Sequence, residues 1–409
     1  MLPVQEAESI ILTVVQPFNK QQDVETADLA AGFDRILAVP AVSQLDFPHW
    51  DNSAMDGYAV RCEDVQNCPV ALEVVEEIPA GSQPQKTLQP GQAARIFTGA
   101  LMPKGADTVV MQENTEVEGE SVTILQAPQP QEFVRHRASF YQAGSPLLPA
   151  GIALGAPEIA VLAAAQCTEF SVYRRPRVAI LTTGDELVAP DRALQPGQIV
   201  DSNQYALAAF VRQNGGIPIS LGIIRDRRSD LQKAMADAIA SADIVLSTGG
   251  VSVGKYDYVE EILEELGGNI CIRSVAIKPG KPLTVATFPP DSNGKSCLYF
   301  GIPGNPVSAL VSCWRFVQPA LKKMSGLSEN WQPRFVSAKS RHDLRGAGMR
   351  EAYLWGQLHL VEGGCEFALA GGSHSSGNLI NLARTTGLAV VPAGQRAIAA
   401  GGKVRVLQL

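Results

Sequence analysis

The chain has 409 residues, 45% of them hydrophobic, and a formal net charge of −7, with a sequence pI near 5.4 and mean hydropathy of +0.04. That length predicts two to four domains of roughly 100–200 residues each, and the acidic balance leaves no electrostatic footprint for nucleic acid. No window approaches the ~18 consecutive apolar residues of a membrane helix, and the N-terminus lacks the basic-then-apolar layout of a signal peptide, so a cytoplasmic protein is expected.

The first element is an amphipathic helix over residues 3–17, with Val4, Ala7, Ile10, Ile11, Val14 and Val15 on one face. A second short helix is expected over Ala31–Leu37. From about Ala41 to Arg137, short apolar runs broken by Pro and Gly predict a β-rich block. Within it, Arg135-His136-Arg137 reads either as a solvated edge or as an anion contact. An Ala-rich helix follows at Pro157–Ala165, and Tyr173–Arg177 reads as a linker. Beyond it β and α alternate. Strands are expected at Val178–Thr182, Pro218–Ile224, Ile244–Ser247, Cys271–Val275, Leu283–Phe288 and Leu298–Phe300. Helices are expected at Gln204–Gln213, Ser229–Ala240 and Tyr258–Leu266, with a long one over Pro306–Met324. This alternation predicts a mostly parallel sheet with helices on both faces. From Gly326 onward, short strands and Gly/Pro turns predict a small all-β domain. Seven cysteines form no CxxC pair and read as reduced thiols. Five histidines, none at i, i+4, argue against a zinc site.

A parallel sheet binds ligands at the carboxyl ends of its strands. Those ends carry Thr183-Gly-Asp-Glu-Leu187, Arg225-Asp226, the run Gly249-Gly-Val-Ser-Val-Gly-Lys-Tyr-Asp257, and Gly301-Ile-Pro-Gly-Asn-Pro-Val-Ser-Ala309. A strand, glycine turn and helix aim backbone N–H groups and a positive helix end at one point, which suits phosphate. Carboxylates beside such loops repel phosphate unless they hold Mg²⁺, which takes one or two carboxylates plus substrate phosphates. Each acid also has a structural alternative. Asp257 opens a capping box with Glu260. Asp185 and Glu186 sit in a turn, and Asp226 precedes Arg227-Arg228. Asp201 and Asn305 stand where helix caps stand. Lys278 and Lys281, three apart and framed by two prolines and a glycine, suit an oxyanion. Gly249–Lys255 fits G-x-x-x-x-G-K, but Tyr256 stands where a Walker loop needs Ser or Thr, which argues against a P-loop nucleotidase.

Six segments occur in a telling order: Asp51–Ala59, Phe97–Ala100, Thr183–Leu187, Gly249–Gly254, Lys278–Pro282 and Pro303–Ser308. Together they resemble the MoeA/gephyrin E-domain family of molybdopterin molybdenumtransferases, across essentially the whole chain. The resemblance implies a multidomain α+β and α/β fold: a central three-layer α/β domain of the molybdopterin-binding type, a β-rich insert and a C-terminal β-barrel-like domain. The implied division is 1–43 plus 141–175, then 44–140, 176–325 and 326–409, in a homodimer. The implied reaction inserts molybdate into adenylylated molybdopterin with Mg²⁺, releasing AMP and molybdenum cofactor. A molybdopterin adenylyltransferase and acceptor molybdoenzymes are implied partners, and a non-catalytic scaffold is the alternative within the family. Carried over by motif, Glu186, Asp226 and Asp257 correspond to the acidic, metal-side residues of the cleft. Asp56 and Thr98 correspond to residues presented by the neighbouring subunit. Lys278 and Lys281 correspond to lysines near pterin or molybdate, and Arg350 and Ser376 to positions implicated in molybdate contact. The implied binding surface also takes in Gly249, Gly250, Val251, Ser252, Gly254, Asp201, Pro303, Gly304, Asn305, Pro306, Ser308 and Arg135. The chain departs from the family's pattern at Phe140, where a carboxylate is expected after the arginine cluster.

Overall fold

The structure is a computed structural model that describes residues 1–249, 258–290 and 294–409. Its centre is a six-stranded sheet in the order Ile217–Ile224, Arg177–Thr183, Ile244–Thr248, Cys297–Ile302, Pro282–Phe288, Asn269–Ser274. The first four strands are parallel. Pro282–Phe288 is antiparallel to both of its neighbours, so one strand of the six runs against the rest. Ile244–Thr248 and Cys297–Ile302 are buried along their whole length, as continuous apolar runs inside a sheet covered on both faces must be. Alternation along Arg177–Thr183 serves two cores. Val178 and Ile180 face the helices Asn203–Gln213 and Pro306–Ser312, while Ala179 and Leu181 face Arg228–Ser241 and Val259–Glu265. The long helix is continuous but not uniform: Cys313–Val317 is a π-helical turn between Pro306–Ser312 and Gln318–Met324.

The β-rich block forms a second six-stranded sheet, running Thr108–Met111, Gly57–Val60, Gln92–Ile96, Val70–Ile78, Ser121–Ile124, Thr115–Glu118. In the C-terminal block, Glu351–Val361 pairs with both Gly364–Leu369 and Gly387–Val391. Phe335–Ser340 and Lys403–Gln408 complete a ring of five strands, a closed barrel without a free edge. A two-residue strand, Ile277–Lys278, joins it by pairing Ile277 with Glu351 and Lys278 with Ala352. This pairing fastens a loop of the central block to the barrel.

Two sequence expectations fail. Ala31–Leu37 is not helical. Two of its amides donate across the fold, Asp34 to the Leu154 carbonyl and Leu37 to that of Ile152, and the local bonds of Ala31 and Arg35 are turn bonds, not helical ones. Asp34 also takes a φ of 58°, so long-range pairing overrides local helix preference. Tyr173–Arg177 is not a linker either. Tyr173 closes the strand Glu169–Tyr173 against Val24–Asp28, Arg177 opens the next strand, and Arg174 is ion-paired between them.

Phe140 is 63% exposed, with its ring 5.6 Å from that of Phe47. Nothing it packs against requires a carboxylate. Phe140→Asp is therefore expected to change turnover by less than about tenfold, roughly 1.4 kcal/mol of barrier. A larger change in a reconstituted assay refutes this.

Candidate active site

The carboxyl ends of the parallel strands open into a cleft of about 1370 Å³. Its acidic part comes from two adjacent strand ends, where Thr183 leads into Gly184-Asp185-Glu186 and Ile224 leads to Asp226. The Asp226 amide donates to Asp185 Oδ1 at 3.4 Å. Partial burial, then the charges of Asp185 and Glu186, push the Asp226 carboxyl above its ordinary range. Gly249, at the end of Ile244–Thr248, has a φ of +85°, and a Cβ there would lie 2.3 Å from the Thr183 carbonyl oxygen. Glycine is thus what lets the two neighbouring strand ends lie side by side. Across from it, Asn203 Nδ2 donates to the Gly304 carbonyl at 2.7 Å, and the Val307 amide to the Ser376 carbonyl at 3.2 Å. These bonds hold the Pro303–Ser308 loop between helix and barrel.

The remaining part of the cleft is cationic. Lys278, Lys281, Arg345 and Arg350 all line it. Among the described residues, none of these four side chains has an ion-pair or hydrogen-bond partner. Four such cations in one concavity of a chain with net charge −7 make a local field suited to an oxyanion. Carboxylates at one side and cations at the other divide the cleft into a place for a hard cation and a place for an anion.

Twelve of the residues singled out in the sequence meet here: Glu186, Asp226, Gly249, Lys278, Lys281, Pro303, Gly304, Asn305, Pro306, Ser308, Arg350 and Ser376 all line the cleft. Asp201 does not. It is 3% exposed and accepts from Thr182 Oγ1 at 2.7 Å and from the Gln204 amide at 3.2 Å, so its two oxygens tie the strand end to the first turn of the helix. Asp56, Thr98 and Arg135 belong to the β-rich block and do not line the cleft. Asp56 Oδ1 accepts from the Thr98 amide at 2.7 Å and its hydroxyl at 2.8 Å, and these bonds hold its carboxyl below the ordinary range. Gly250, Val251, Ser252, Gly254 and Asp257 lie outside the described residues. Among those described, no three His, Cys, Asp or Glu side chains enclose a metal position by themselves. Arg345, Asn203, Trp355 and His374 line the cleft without having been singled out. A second arginine close before Arg350 was a readable signal for the first of these. The others depend on how the helix and barrel dock.

Comparison with known proteins matches the MoeA N-terminal region (domain I and II) to residues 2–165. The probable molybdopterin binding domain matches residues 179–323, and the MoeA C-terminal region (domain IV) matches residues 337–409. A molybdopterin molybdenumtransferase of Nostoc sp. is 60% identical, covering 100% of this chain and 94% of that one. A protein of the same name from Haemophilus influenzae is 34% identical over 89% of this chain and 88% of its own. The crystal structure of the molybdopterin biosynthesis MoeA protein of Pyrococcus horikoshii covers the whole of both chains at 28% identity, with a TM-score of 0.83. Three regional matches in order and full-length similarity in both sequence and fold lead to one conclusion: the chain belongs to the MoeA family.

Proposed function

We propose that this protein is a molybdopterin molybdenumtransferase: it inserts molybdate into adenylylated molybdopterin and releases AMP and molybdenum cofactor. The observation that carries this reading is the divided cleft, in a chain 60% identical over its full length to a protein of that name. A purely scaffolding role leaves the crowded carboxylates and the four clustered cations without a purpose. Lys278, Lys281 and Arg350 attract and orient the molybdate dianion, with Ser376 as a further donor. Gly249 and the Pro303–Ser308 loop bring backbone close to the phosphoanhydride. Positioning and electrostatics then carry the rate.

The donor set fits Mg²⁺. Asp185, Glu186 and Asp226 crowd one end and raise one another's affinity for a cation, yet do not enclose it, which leaves positions for phosphate oxygens. Glu186 and Asp226, with Asp257, would hold the ion; bound there, it supplies a Lewis acid and a template for the phosphoanhydride. We assign the working form to a homodimer in the cytoplasm, divided into domains as the motif order implies. In it, the Asp56–Thr98 corner of one β-rich block completes the neighbouring subunit's cleft. No described helix is long and apolar enough to cross a membrane.

The test is to supply adenylylated molybdopterin, molybdate and Mg²⁺ and to measure AMP release together with active cofactor. Wild-type protein that forms neither refutes the reading. The shared cleft has its own test. Asp56→Ala and Glu186→Ala are each expected to be inactive. Mixing and reassociating them should restore roughly a quarter of the wild-type sites, because half the dimers then carry one intact cleft. No recovery on mixing means that Asp56 serves its own subunit or none.

A further inference from the structure

A second cavity, of about 780 Å³, lies at the other end of the central sheet from the cleft. Residues 34–36 and 149–153 line it on one side and residues 174–176 and 213–215 on another. Lys322, at the end of the long helix, and Arg334, just before the first barrel strand, line the rest. The strand Arg177–Thr183 starts beside this cavity and ends at the cleft, roughly 20 Å away at about 3.3 Å per residue. The volume falls in the range of small-molecule sites, about 300–1,000 Å³.

The cations around this cavity are not alike. Arg174 is ion-paired with Asp23 and Asp243, and Arg35 is held by Glu25 and the Tyr173 carbonyl. Arg175 donates through Nη1 to the Gly215 carbonyl at 3.1 Å and stands 3.7 Å from Asp34. Lys322 and Arg334 differ: among the described residues, neither side chain has an ion-pair or hydrogen-bond partner. Asp34 and Glu329 line the same cavity without pairing with either. The next lysine along the helix is satisfied, for Lys323 Nζ donates to the Leu12 carbonyl at 2.6 Å and stands 5.4 Å from the centre of the Trp331 ring. Lys322 is half-buried. Burial, then the charge of Arg334, push its ammonium below the ordinary value, against a pull from Asp34. A half-buried ammonium with a second cation near it and no counterion weakens the empty fold, and an anion in the shared cavity removes that cost. Two unpaired cations match a dianion. A phosphate group carries about −1.5 to −2 near neutral pH, whereas one carboxylate carries a single charge.

We propose that this cavity is a second anion site, remote from the cleft, in which Lys322 and Arg334 hold a phosphate group at the junction of the N-terminal block, the central sheet and the barrel. Its test is independent of the molybdate chemistry. Calorimetry at pH 8 and constant ionic strength measures binding of inorganic phosphate and of ribose 5-phosphate. The proteins are wild type, Lys322→Gln, Arg334→Gln and the cleft variant Lys278→Ala/Lys281→Ala. Wild type has a class of sites whose affinity falls about tenfold in Lys322→Gln and in Arg334→Gln, as expected for one lost charge-assisted contact. In the cleft variant that class stays within about threefold of wild type. Without anion, Lys322→Gln melts at or above wild type, because an unpaired charge is gone, and phosphate then stabilises wild type more than the variant. Equal affinity for the two probes supports a site for the free ion. Ribose 5-phosphate bound at least tenfold more tightly supports a phosphorylated small molecule that fills the rest of the cavity. The proposal is overturned if wild type binds neither probe, or if binding vanishes in the cleft variant and is untouched in Lys322→Gln and Arg334→Gln. A lower melting midpoint of Lys322→Gln without anion also overturns it, because the ammonium then supports the fold and not a ligand.

Discussion

Asp226→Asn is expected to lose cofactor synthesis by about 10²–10³-fold, some 3–4 kcal/mol of barrier, while the folded chain becomes no less stable at neutral pH. The two effects share a cause. Asp226 sits with Asp185 and Glu186 at the acidic end of the cleft, and burial plus those two charges raise its carboxyl above the ordinary value of 3.8. A carboxyl whose folded-state value is raised contributes stability that is fully present below its unfolded value. That contribution is lost as the pH rises through the raised value. At neutral pH the ionised group is therefore a liability for the empty fold and useful only when a cation is present. Asparagine removes the charge and the liability together. Thermal melts without divalent cation should give the variant a midpoint at or above wild type near pH 7, and the gap should close toward pH 3. Added Mg²⁺ should stabilise wild type more than the variant. Glu186→Gln should follow the same pattern in activity. Activity within tenfold of wild type, with a normal response to Mg²⁺, would overturn the metal-binding role proposed for Asp226.

That result would also bear on what the sequence can disclose about such a site. The β–α alternation placed the sheet, and with it the strand ends where ligands bind, so Glu186, Asp226 and the Pro303–Ser308 loop could be found by reading the residues just after each strand. The framed lysines at 278 and 281 were legible because prolines and a glycine around a charged pair are a local signal. Asp201 looked like the other acids, since an aspartate before a helix has the same spelling whether it caps the helix or binds a ligand. Only the Thr182 hydroxyl beside it decides the matter. Arg345 and Tyr353 were not found because their place depends on how a C-terminal barrel docks on a loop about 70 residues earlier in the chain. The failed helix at Ala31–Leu37 has the same origin, a preference of the local chain overridden by carbonyls from residues 152 and 154.

Arg174→Ala is expected to destabilise the chain by about 3–5 kcal/mol while leaving the cleft's kinetics at 25 °C near wild type. Arg174 donates through Nε to Asp23 Oδ1 at 2.8 Å, and through Nη1 and Nη2 to the two oxygens of Asp243 at 2.7 and 2.8 Å. Its guanidinium stands 4.1 Å from the centre of the Phe18 ring. Burial works against this charge, but the Asp243 and Asp23 carboxylates outweigh it and hold the guanidinium above its ordinary value. Asp243 is 3% exposed, and without the arginine it keeps the Arg177 amide at 2.7 Å as its remaining donor. A buried carboxylate left with one hydrogen bond is the destabilising species, so Arg174→Ala combined with Asp243→Asn should recover part of the loss. Arg174→Lys should not recover it fully, because an ammonium cannot satisfy both oxygens of Asp243 and reach Asp23 as well. Asp243 stands at the amino end of Ile244–Thr248, and the cleft begins at that strand's other end, about 17 Å away at roughly 3.3 Å per residue. Denaturant midpoints should therefore shift without a change in the KM for molybdate. A loss below about 1 kcal/mol would mean that water reaches Asp243 and takes the arginine's place. A raised KM would mean instead that the junction behind the sheet sets the geometry of the cleft in front of it.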